Sequence, residues 1–122
     1  MKQNILLEKS YAFALRIMKL SDYLEEQRRY VLAKQVLRAG TSIGANAEET
    51  VAASSTKDFL HRASISYREA RETHYWIRLL RDGKYLEPHL SDSLLHDCDE
   101  LVRILSSITK TTREQLEASG SE

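Results

Sequence analysis

Turn-forming residues are scarce in this sequence, which has one proline, Pro88, and four glycines among 122 residues. All-β sandwiches and barrels need frequent turns, so this scarcity argues against those folds and favours long helices. The single cysteine, Cys98, excludes an internal disulfide and a four-cysteine zinc site. One unpaired cysteine suits a reducing compartment, and we expect a cytoplasmic protein.

Long apolar runs are missing as well. The first residues carry too short an apolar segment before Glu8 and Lys9 for a signal peptide. No uncharged stretch approaches the roughly 18 residues that a membrane span needs, so no membrane association is expected. Hydrophobic residues make up 42% of the chain and charged residues 30%. This composition is typical of a globular protein and predicts one domain over residues 1–122.

A heptad-like stripe marks the last predicted helix, which begins at Pro88 or Ser91. Its apolar and small residues alternate at spacings of four and three, which indicates a helix face that seeks a packing partner. The stripe consists of Leu94, Cys98, Leu101, Leu105, Ile108 and Thr112. Gly120, near the end, predicts a frayed tail over about residues 117–122.

Capping residues delimit the third predicted helix. Ser55 precedes Asp58 by three positions, a spacing that satisfies the free amides of a first helical turn. Gly83 follows Asp82, and we expect this glycine to end the helix in the left-handed conformation. The apolar arc between these ends consists of Phe59, Ala63, Tyr67, Ala70, His74, Ile77 and Leu80.

The second predicted helix runs from about Tyr30 to Ala53, and its continuity is open. Gly40 and Gly44 each disfavour a helix by about 1 kcal/mol, so a break followed by a Thr41 cap is one interpretation. Against it, one apolar face stays in step through Val36, Gly40, Ile43, Ala47 and Val51. We prefer a continuous helix whose small residues let a neighbouring backbone approach closely.

Two adjacent apolar stripes run along the first predicted helix, over about residues 4–27, and predict two packing neighbours. One stripe consists of Leu7, Tyr11, Ala14 and Met18, and the other of Phe13, Ile17, Leu20 and Leu24. Short connections join the four helices, and consecutive helices joined in this way pack antiparallel. The predicted fold is all-α, an antiparallel up-down-up-down four-helix bundle.

Three segments of the second and third helices, residues 38–49, 54–59 and 69–76, resemble the 23S rRNA-intervening sequence protein family. These are small bacterial proteins named for open reading frames inside insertions in 23S rRNA genes. The resemblance covers nearly the whole chain and implies a four-helix bundle. It also implies a likeness to the accessory protein of diversity-generating retroelements, a homopentamer that binds nucleic acid and a reverse transcriptase. No catalytic residue, metal ligand or cofactor comes with this resemblance.

The family pattern falls on defined positions of this sequence, for which it implies structural or interface roles. They are Ser42, Ile43, Asn46, Glu49, Asp58, Phe59, Glu69 and Glu72, to which we add Gly44 and Trp76. Two positions depart from the pattern. Ala47 stands where a larger aliphatic residue is usual, and Thr50 where glycine or alanine is usual. These departures affect the local packing and leave the fold prediction unchanged.

Two pairs of polar residues three positions apart share helical faces: Asn46 with Glu49, and Glu69 with Glu72. We expect a buried polar network that fixes helix register, with plain solvent exposure as the alternative. A di-metal carboxylate centre needs a Glu-x-x-His motif on two helices, which is absent, so no metal site is predicted. His74 and Cys98 are expected in the core. Catalysis by either is not expected.

Overall neutrality, with 18 basic and 18 acidic residues, hides a segregation of charge. Residues 16–38 hold six basic and three acidic residues, residues 57–84 hold seven and four, and residues 85–122 hold three and eight. Around the first turn, Arg28, Arg29, Lys34 and Arg38 are candidate phosphate contacts. A solvated helix face is the alternative for these four residues.

These observations predict a non-catalytic protein that acts through assembly. We expect a homo-oligomer, by resemblance a pentamer, that serves as an adaptor and binds RNA or DNA through its basic residues. A protein partner such as a reverse transcriptase is implied by the same resemblance. The alternative is a protein-binding scaffold that uses the acidic fourth helix and has no nucleic-acid activity.

Overall fold

The computed structural model describes residues 2–120, with side chains from residue 5 onward, and the prediction of an all-helical fold is confirmed. Helix α1 spans Lys2–Glu26, α2 Tyr30–Glu49, α3 Thr56–Asp82 and α4 Pro88–Ala118. A 3-10 turn at Thr50–Ala52 follows α2, and residues 2–120 contain no strand. The helices pack around one apolar core to which all four contribute. None of the helices in this range is long and apolar enough to cross a membrane.

Side chains cap α3 and α4 at their first turns. The Ser55 hydroxyl accepts a hydrogen bond from the Asp58 amide at 3.0 Å, which confirms the predicted cap. The Glu87 carboxylate accepts from the amides of His89 at 2.9 Å and Leu90 at 3.0 Å. Pro88 occupies the first turn of α4, where its missing N–H costs nothing. The helix therefore begins at Pro88, the first of the two predicted starts.

The predicted left-handed glycine at the end of α3 is wrong. Gly83 has a helical φ of −77°, and Lys84, with φ of 65°, takes the left-handed conformation. The Lys84 amide donates to the Arg81 carbonyl, and the Tyr85 amide donates to the Leu80 carbonyl. This pair of bonds is the Schellman arrangement, which places the left-handed residue one position beyond the helix cap.

The α1–α2 turn closes in the same way. Arg28 has φ of 63° and donates its amide to the Glu25 carbonyl, while the Arg29 amide donates to the Leu24 carbonyl. A non-glycine residue in the left-handed region is strained by roughly 1–2 kcal/mol. Two of the three inter-helix connections, α1–α2 and α3–α4, thus carry this strain at a basic residue.

Helix α2 passes through Gly40 and Gly44 without a break, which confirms the preferred interpretation. A Cβ added at Gly40 would lie 2.7 Å from the Cγ1 and Cγ2 atoms of Ile17, and one added at Gly44 would lie 3.3 Å from the Ser10 hydroxyl. The predicted close approach of a neighbour is therefore correct, and the neighbour is α1. The helix ends at Glu49 rather than near Ala53, because a 3-10 turn replaces its last residues.

The heptad-like stripe of α4 is buried along its whole length, as predicted. One of the two stripes of α1 is buried, and the other is covered only in part, with Leu7 packed against the core. Phe13, Ile17 and Leu24 are buried, whereas Tyr11 is 66% exposed and Met18 is 51% exposed. The expectation of two packing neighbours for α1 is confirmed, since α1 packs against α2 and α4, although Tyr11 and Met18 of the second stripe stay exposed. Helix α4 continues through Ala118, and residues 121–122 of the predicted tail lie outside the described residues.

Candidate nucleic-acid interface

Arg38, one of the four basic residues singled out from the sequence, is engaged by carboxylates. Its guanidinium forms an ion pair with Glu69 at 3.3 Å and a second ion pair with Glu72. Gln35 accepts two further, longer hydrogen bonds at 3.4 Å from Arg38 Nε and Nη2. Arg38 thus connects α2 to α3, and its charge is largely neutralised within the protein.

Arg28, Arg29 and Lys34 are exposed, but the two turn residues, Arg28 and Arg29, lie away from Arg38. The Arg29 guanidinium lies 4.0 Å from the centre of the Tyr85 ring, against the α3–α4 turn. Nine residues separate Arg29 from Arg38, which is about 14 Å along a helix axis at 1.5 Å per residue. The predicted residues are therefore spread from the α1–α2 turn to Arg38, which is already paired, with Lys34 one helical turn before Arg38.

The predicted buried polar network is replaced by two separate, partly exposed ion-pair groups. In the first, Arg38 joins Glu69 and Glu72. In the second, Arg62 lies 3.2 Å from Glu49 and 3.3 Å from Asp58. The expectation of one network was wrong because the carboxylates pair with Arg38 and Arg62. The sequence argument had considered only residues spaced three apart, and it did not include these arginines.

Asn46 takes no part in either ion-pair group, because its side-chain amide donates to the Ser42 carbonyl of its own helix at 2.8 Å. Ser42 in turn donates to the Arg38 carbonyl at 2.6 Å. Ile43 is fully buried, and its carbonyl accepts from the Ser66 hydroxyl of α3 at 2.8 Å. Ser42 and Asn46 thus form hydrogen bonds within α2, and Ile43 links α2 to α3.

The remaining motif residues lie at the core boundary. Gly44 faces Ser10 of α1, and Phe59 packs partly buried against the core. Trp76 also packs against the core, and its indole N–H donates to the Glu72 carboxylate at 2.9 Å. The family motif therefore falls on residues that pack against the core or connect neighbouring helices.

A different set of basic residues converges between α3 and α4. Two clefts follow one another along this pair of helices, with volumes of about 370 Å³ and 530 Å³. The first is lined by Ser64, Tyr67, Arg68, Ser106, Thr109, Lys110 and Arg113. The second is lined by Arg71, Glu72, His74, Tyr75, Arg78, Asp99 and Val102. We call Arg68, Arg71, Arg78, Lys110 and Arg113 the basic groove.

The cations of the basic groove are not engaged in ion pairs. Across residues 2–120, none of the five takes part in an ion pair. The first cleft has no carboxylate in its lining. In the second, Glu72 is held by Arg38, and Asp99 lies 2.9 Å from His74 Nε2. The groove therefore presents a net positive surface.

Asp82, the acidic residue that ends α3, leaves Arg78 available in the same way. Its pKa lies below the ordinary value because Arg81 Nε donates to its carboxylate at 2.8 Å, with the charges of Arg81 and Arg78 adding to this. Arg81 forms the ion pair with this carboxylate, and Arg78, which lies over the Tyr75 ring, forms none among the described side chains.

Helical geometry explains how α3 presents this surface. Arg68, Arg71, Tyr75 and Arg78 step by three and four residues, so they share one face. The buried residues of α3 lie on another face of the helix: Ala63, Ser66, Ala70, Thr73, Ile77 and Leu80. The signal was present in the sequence as the basic excess of residues 57–84. Lys110 and Arg113 gave no such signal, because they lie in the acidic segment 85–122.

His74 and Cys98 differ in their environment. His74 was expected in the core but is partly exposed, and its Nε2 atom lies 2.9 Å from Asp99 Oδ1. Cys98 is fully buried, as expected, and its thiol donates to the Ala70 carbonyl at 3.4 Å. Burial raises the pKa of Cys98 to about 12, with the charges of Asp99 and Asp97 adding to this. A protonated, buried thiol is inert as a nucleophile.

No group of three or more His, Cys, Asp or Glu side chains that could hold a metal ion occurs among the described residues. The chemistry on offer at the α3–α4 surface is the binding of anions by guanidinium and ammonium groups, beside tyrosine rings. Arginine donors arranged with aromatic side chains are a combination found in proteins that bind nucleic acids.

Comparisons with known proteins assign the chain to a family. Residues 2–107 match the family described as 23S rRNA-intervening sequence protein. A crystal structure of a protein with unknown function from the S23 ribosomal protein family of Bacteroides thetaiotaomicron is 42% identical in sequence. It superposes with a TM-score of 0.87 and covers 90% of this chain and 99% of that one. Among curated proteins, none matches the chain.

Proposed function

The chain belongs to the 23S rRNA-intervening sequence protein family, and from this premise we propose that it is a non-catalytic, oligomeric adaptor that binds RNA or DNA. The observation that carries the proposal is the basic groove. Its five cations lie between α3 and α4, and none of them forms an ion pair with a described residue. Phosphate contacts of this kind supply most of the affinity of sequence-independent nucleic-acid binding. The cytoplasm, where nucleic acid is abundant, suits this role.

The location of the interface differs in this proposal from the one that the sequence suggested. Arg38 is paired twice, whereas the five groove residues form no ion pair among the described side chains and line two consecutive clefts. An ion pair that must be broken before a phosphate binds lowers the net gain from that contact. The groove on α3 and α4 is therefore the better-placed surface.

The helices of the bundle are proposed to run antiparallel in an up-down-up-down order, so that α3 and α4 face each other along the whole groove. Contacts between consecutive helices support this, because residue numbers rise along one helix while they fall along its partner. The contacts are Ser10 with Gly44 and Ile17 with Gly40, Ile43 with Ser66 and Glu49 with Arg62, and Ala70 with Cys98 and Arg81 with Asp92.

The outer stripe of α1 supports self-association. Tyr11, Leu15 and Met18 step by four and three residues, and each is about half exposed or more. They point away from the face that buries Phe13 and Ile17 in the core. A row of large apolar side chains on one helix is typical of an interface with another subunit. We propose that a second copy covers it, in the pentamer that the family resemblance implies.

A scaffold that uses the acidic fourth helix has less support. Four of its carboxylates are already met by basic side chains of α1 and α3. The pairs are Glu100 with Lys9 at 3.2 Å, Asp97 with Arg16 at 2.7 Å, Asp99 with His74 at 2.9 Å and Asp92 with Arg81 at 3.9 Å. Half of the eight acidic residues of segment 85–122 are thus paired within the bundle, which leaves less free charge for a partner.

Charge reversal tests the proposed interface. The double variant Arg68→Glu/Lys110→Glu reverses two groove cations, and Arg28→Glu/Lys34→Glu makes the same charge change at the residues suggested by sequence. Fluorescence anisotropy with labelled RNA and DNA at low salt measures the affinity, and light scattering confirms that each variant keeps the oligomeric state of the wild type.

We expect the groove variant to lose at least about tenfold in affinity, since two phosphate contacts become repulsive, and the matched variant to lose much less. The reverse ranking would place the interface at the first turn. If the unmodified protein binds neither nucleic acid at low salt, the adaptor proposal is wrong and a protein scaffold remains.

A further inference from the structure

We propose that the basic groove takes single-stranded nucleic acid, with a base stacked on Tyr75 between phosphates bound by Arg71 and Arg78. The inference rests on the proposed function, because it specifies the ligand of the same surface. It follows from the order of side chains along α3, where an exposed aromatic ring stands between two free cations.

Tyr75 is available for stacking and is held in place. The residue is 47% exposed, so part of its ring is open to a ligand. Its ring meets Trp76 edge-on, with centroids 5.4 Å apart and an interplanar angle of 66°. Trp76 is itself fixed by the hydrogen bond from its N–H to Glu72, which Arg38 holds from α2. A ring positioned by such a chain of contacts loses little freedom when a base stacks on it.

The flanking arginines are positioned by tyrosines. Arg71 donates to the Tyr67 hydroxyl at 3.1 Å, and its guanidinium lies 5.9 Å from the Tyr67 ring centre. The Arg78 guanidinium lies 5.9 Å from the Tyr75 ring centre. At 1.5 Å per residue, Tyr75 is about 6 Å from Arg71 and about 4.5 Å from Arg78 along the helix axis. A phosphate on each side and a base between them fit this order of groups.

Whether the Tyr75 ring contributes to binding depends on whether the nucleic acid is single-stranded or double-stranded. In a single strand, base faces can unstack and pack against an aromatic side chain, whatever the base. In a duplex, base faces are stacked on one another and only the phosphates reach a surface of this kind. The groove therefore binds a duplex through its cations alone, while a single strand gains the contact with Tyr75.

An abasic ligand isolates this contact. We would measure the affinity of a single-stranded oligonucleotide, the same length of abasic sugar-phosphate chain, and a duplex of equal length, by anisotropy at low salt. The variants are Tyr75→Ala and Tyr75→Phe, and Tyr30→Ala serves as the control at an exposed tyrosine outside the groove. Light scattering verifies the fold and assembly of each variant. The fluorescence of Trp76, the one tryptophan in the chain, reports contact beside Tyr75.

We expect Tyr75→Ala to weaken binding of the single strand by about 5- to 150-fold, the range seen for loss of one base–aromatic stack. Binding of the abasic chain and the duplex should change little, and Tyr75→Phe and Tyr30→Ala should resemble the wild type. Equal losses for all three ligands would overturn the inference, as would no loss for the single strand. Either result leaves phosphate binding by the groove intact, whereas failure of every ligand to bind the wild type refutes the proposed function itself.

Discussion

Replacing Gly40 by alanine tests the close contact between α1 and α2. The new Cβ would lie 2.7 Å from two atoms of Ile17, a distance that real Cβ contacts do not show. Ile17 is fully buried and β-branched, so it has no other rotamer of comparable energy in a helix and no free space to enter. The two helices must therefore move apart or the side chain must distort.

The expected loss of stability in Gly40→Ala is the difference between a steric cost and a gain in helix propensity. Overpacking in a core costs about 1–3 kcal/mol. Alanine is favoured over glycine in a helix by about 1 kcal/mol, which offsets part of this cost. Gly40→Ala should therefore reduce the free energy of unfolding by up to about 2 kcal/mol. Gly44→Ala is the matched control, because its Cβ would meet the Ser10 hydroxyl at 3.3 Å, which demands only a small shift.

Urea denaturation of the two variants and the wild type measures the difference. Gly44→Ala should be close to the wild type or slightly more stable, since the propensity gain meets little steric cost. In a double-mutant cycle, Ile17→Ala should make Gly40→Ala favourable, because the clashing atoms are removed. If Gly40→Ala alone is as stable as Gly44→Ala, the reasoning about helix contact is refuted.

Two further predictions concern turns and caps. Lys84→Gly should raise the free energy of unfolding by about 1 kcal/mol in urea denaturation, because Lys84 has φ of 65° and glycine adopts this conformation without strain. An unchanged value would contradict the turn geometry. The pKa of Asp58 lies below its ordinary value of 3.8, first because the Ser54 amide donates to it and then because Arg62 is near. Its stabilising contribution is therefore complete above pH 3.8 and lost as the pH falls through the lower pKa of the folded state. Denaturation midpoints of the wild type and Asp58→Asn should converge on acidification, and a constant difference would contradict this.

Local sequence signals predicted most of the fold. The stripe of α4, the Ser55 cap and the continuity of α2 through Gly40 depend on spacings within one helix, which the sequence displays directly. The sequence placed the left-handed conformation at Gly83, whereas Lys84 adopts it. Gly83 is the cap residue of α3, and the left-handed residue is the next one along the chain, a shift of one position that residue propensity alone does not predict.

The candidate site was harder to predict because it depends on two helices together. Arg68 and Lys110 are 42 positions apart in the sequence, and they line one cleft only through the register of α3 against α4. Arg38 looked available in the sequence, but its neighbours Glu69 and Glu72 come from another helix. Counts of charge by segment also hid Lys110 and Arg113, since they lie in the segment 85–122, which holds eight acidic and three basic residues.

The salt dependence of nucleic-acid binding tests the central claim most directly. Each phosphate neutralised on a single strand contributes about 0.7 to the slope of log affinity against log salt, so five groove cations predict a slope of about −3.5. Neutralising two of them in Arg68→Gln/Lys110→Gln should reduce this magnitude by about 1.4 for each groove that the ligand contacts. A slope near zero, or the same slope in both proteins, would contradict the assignment of the interface to α3 and α4.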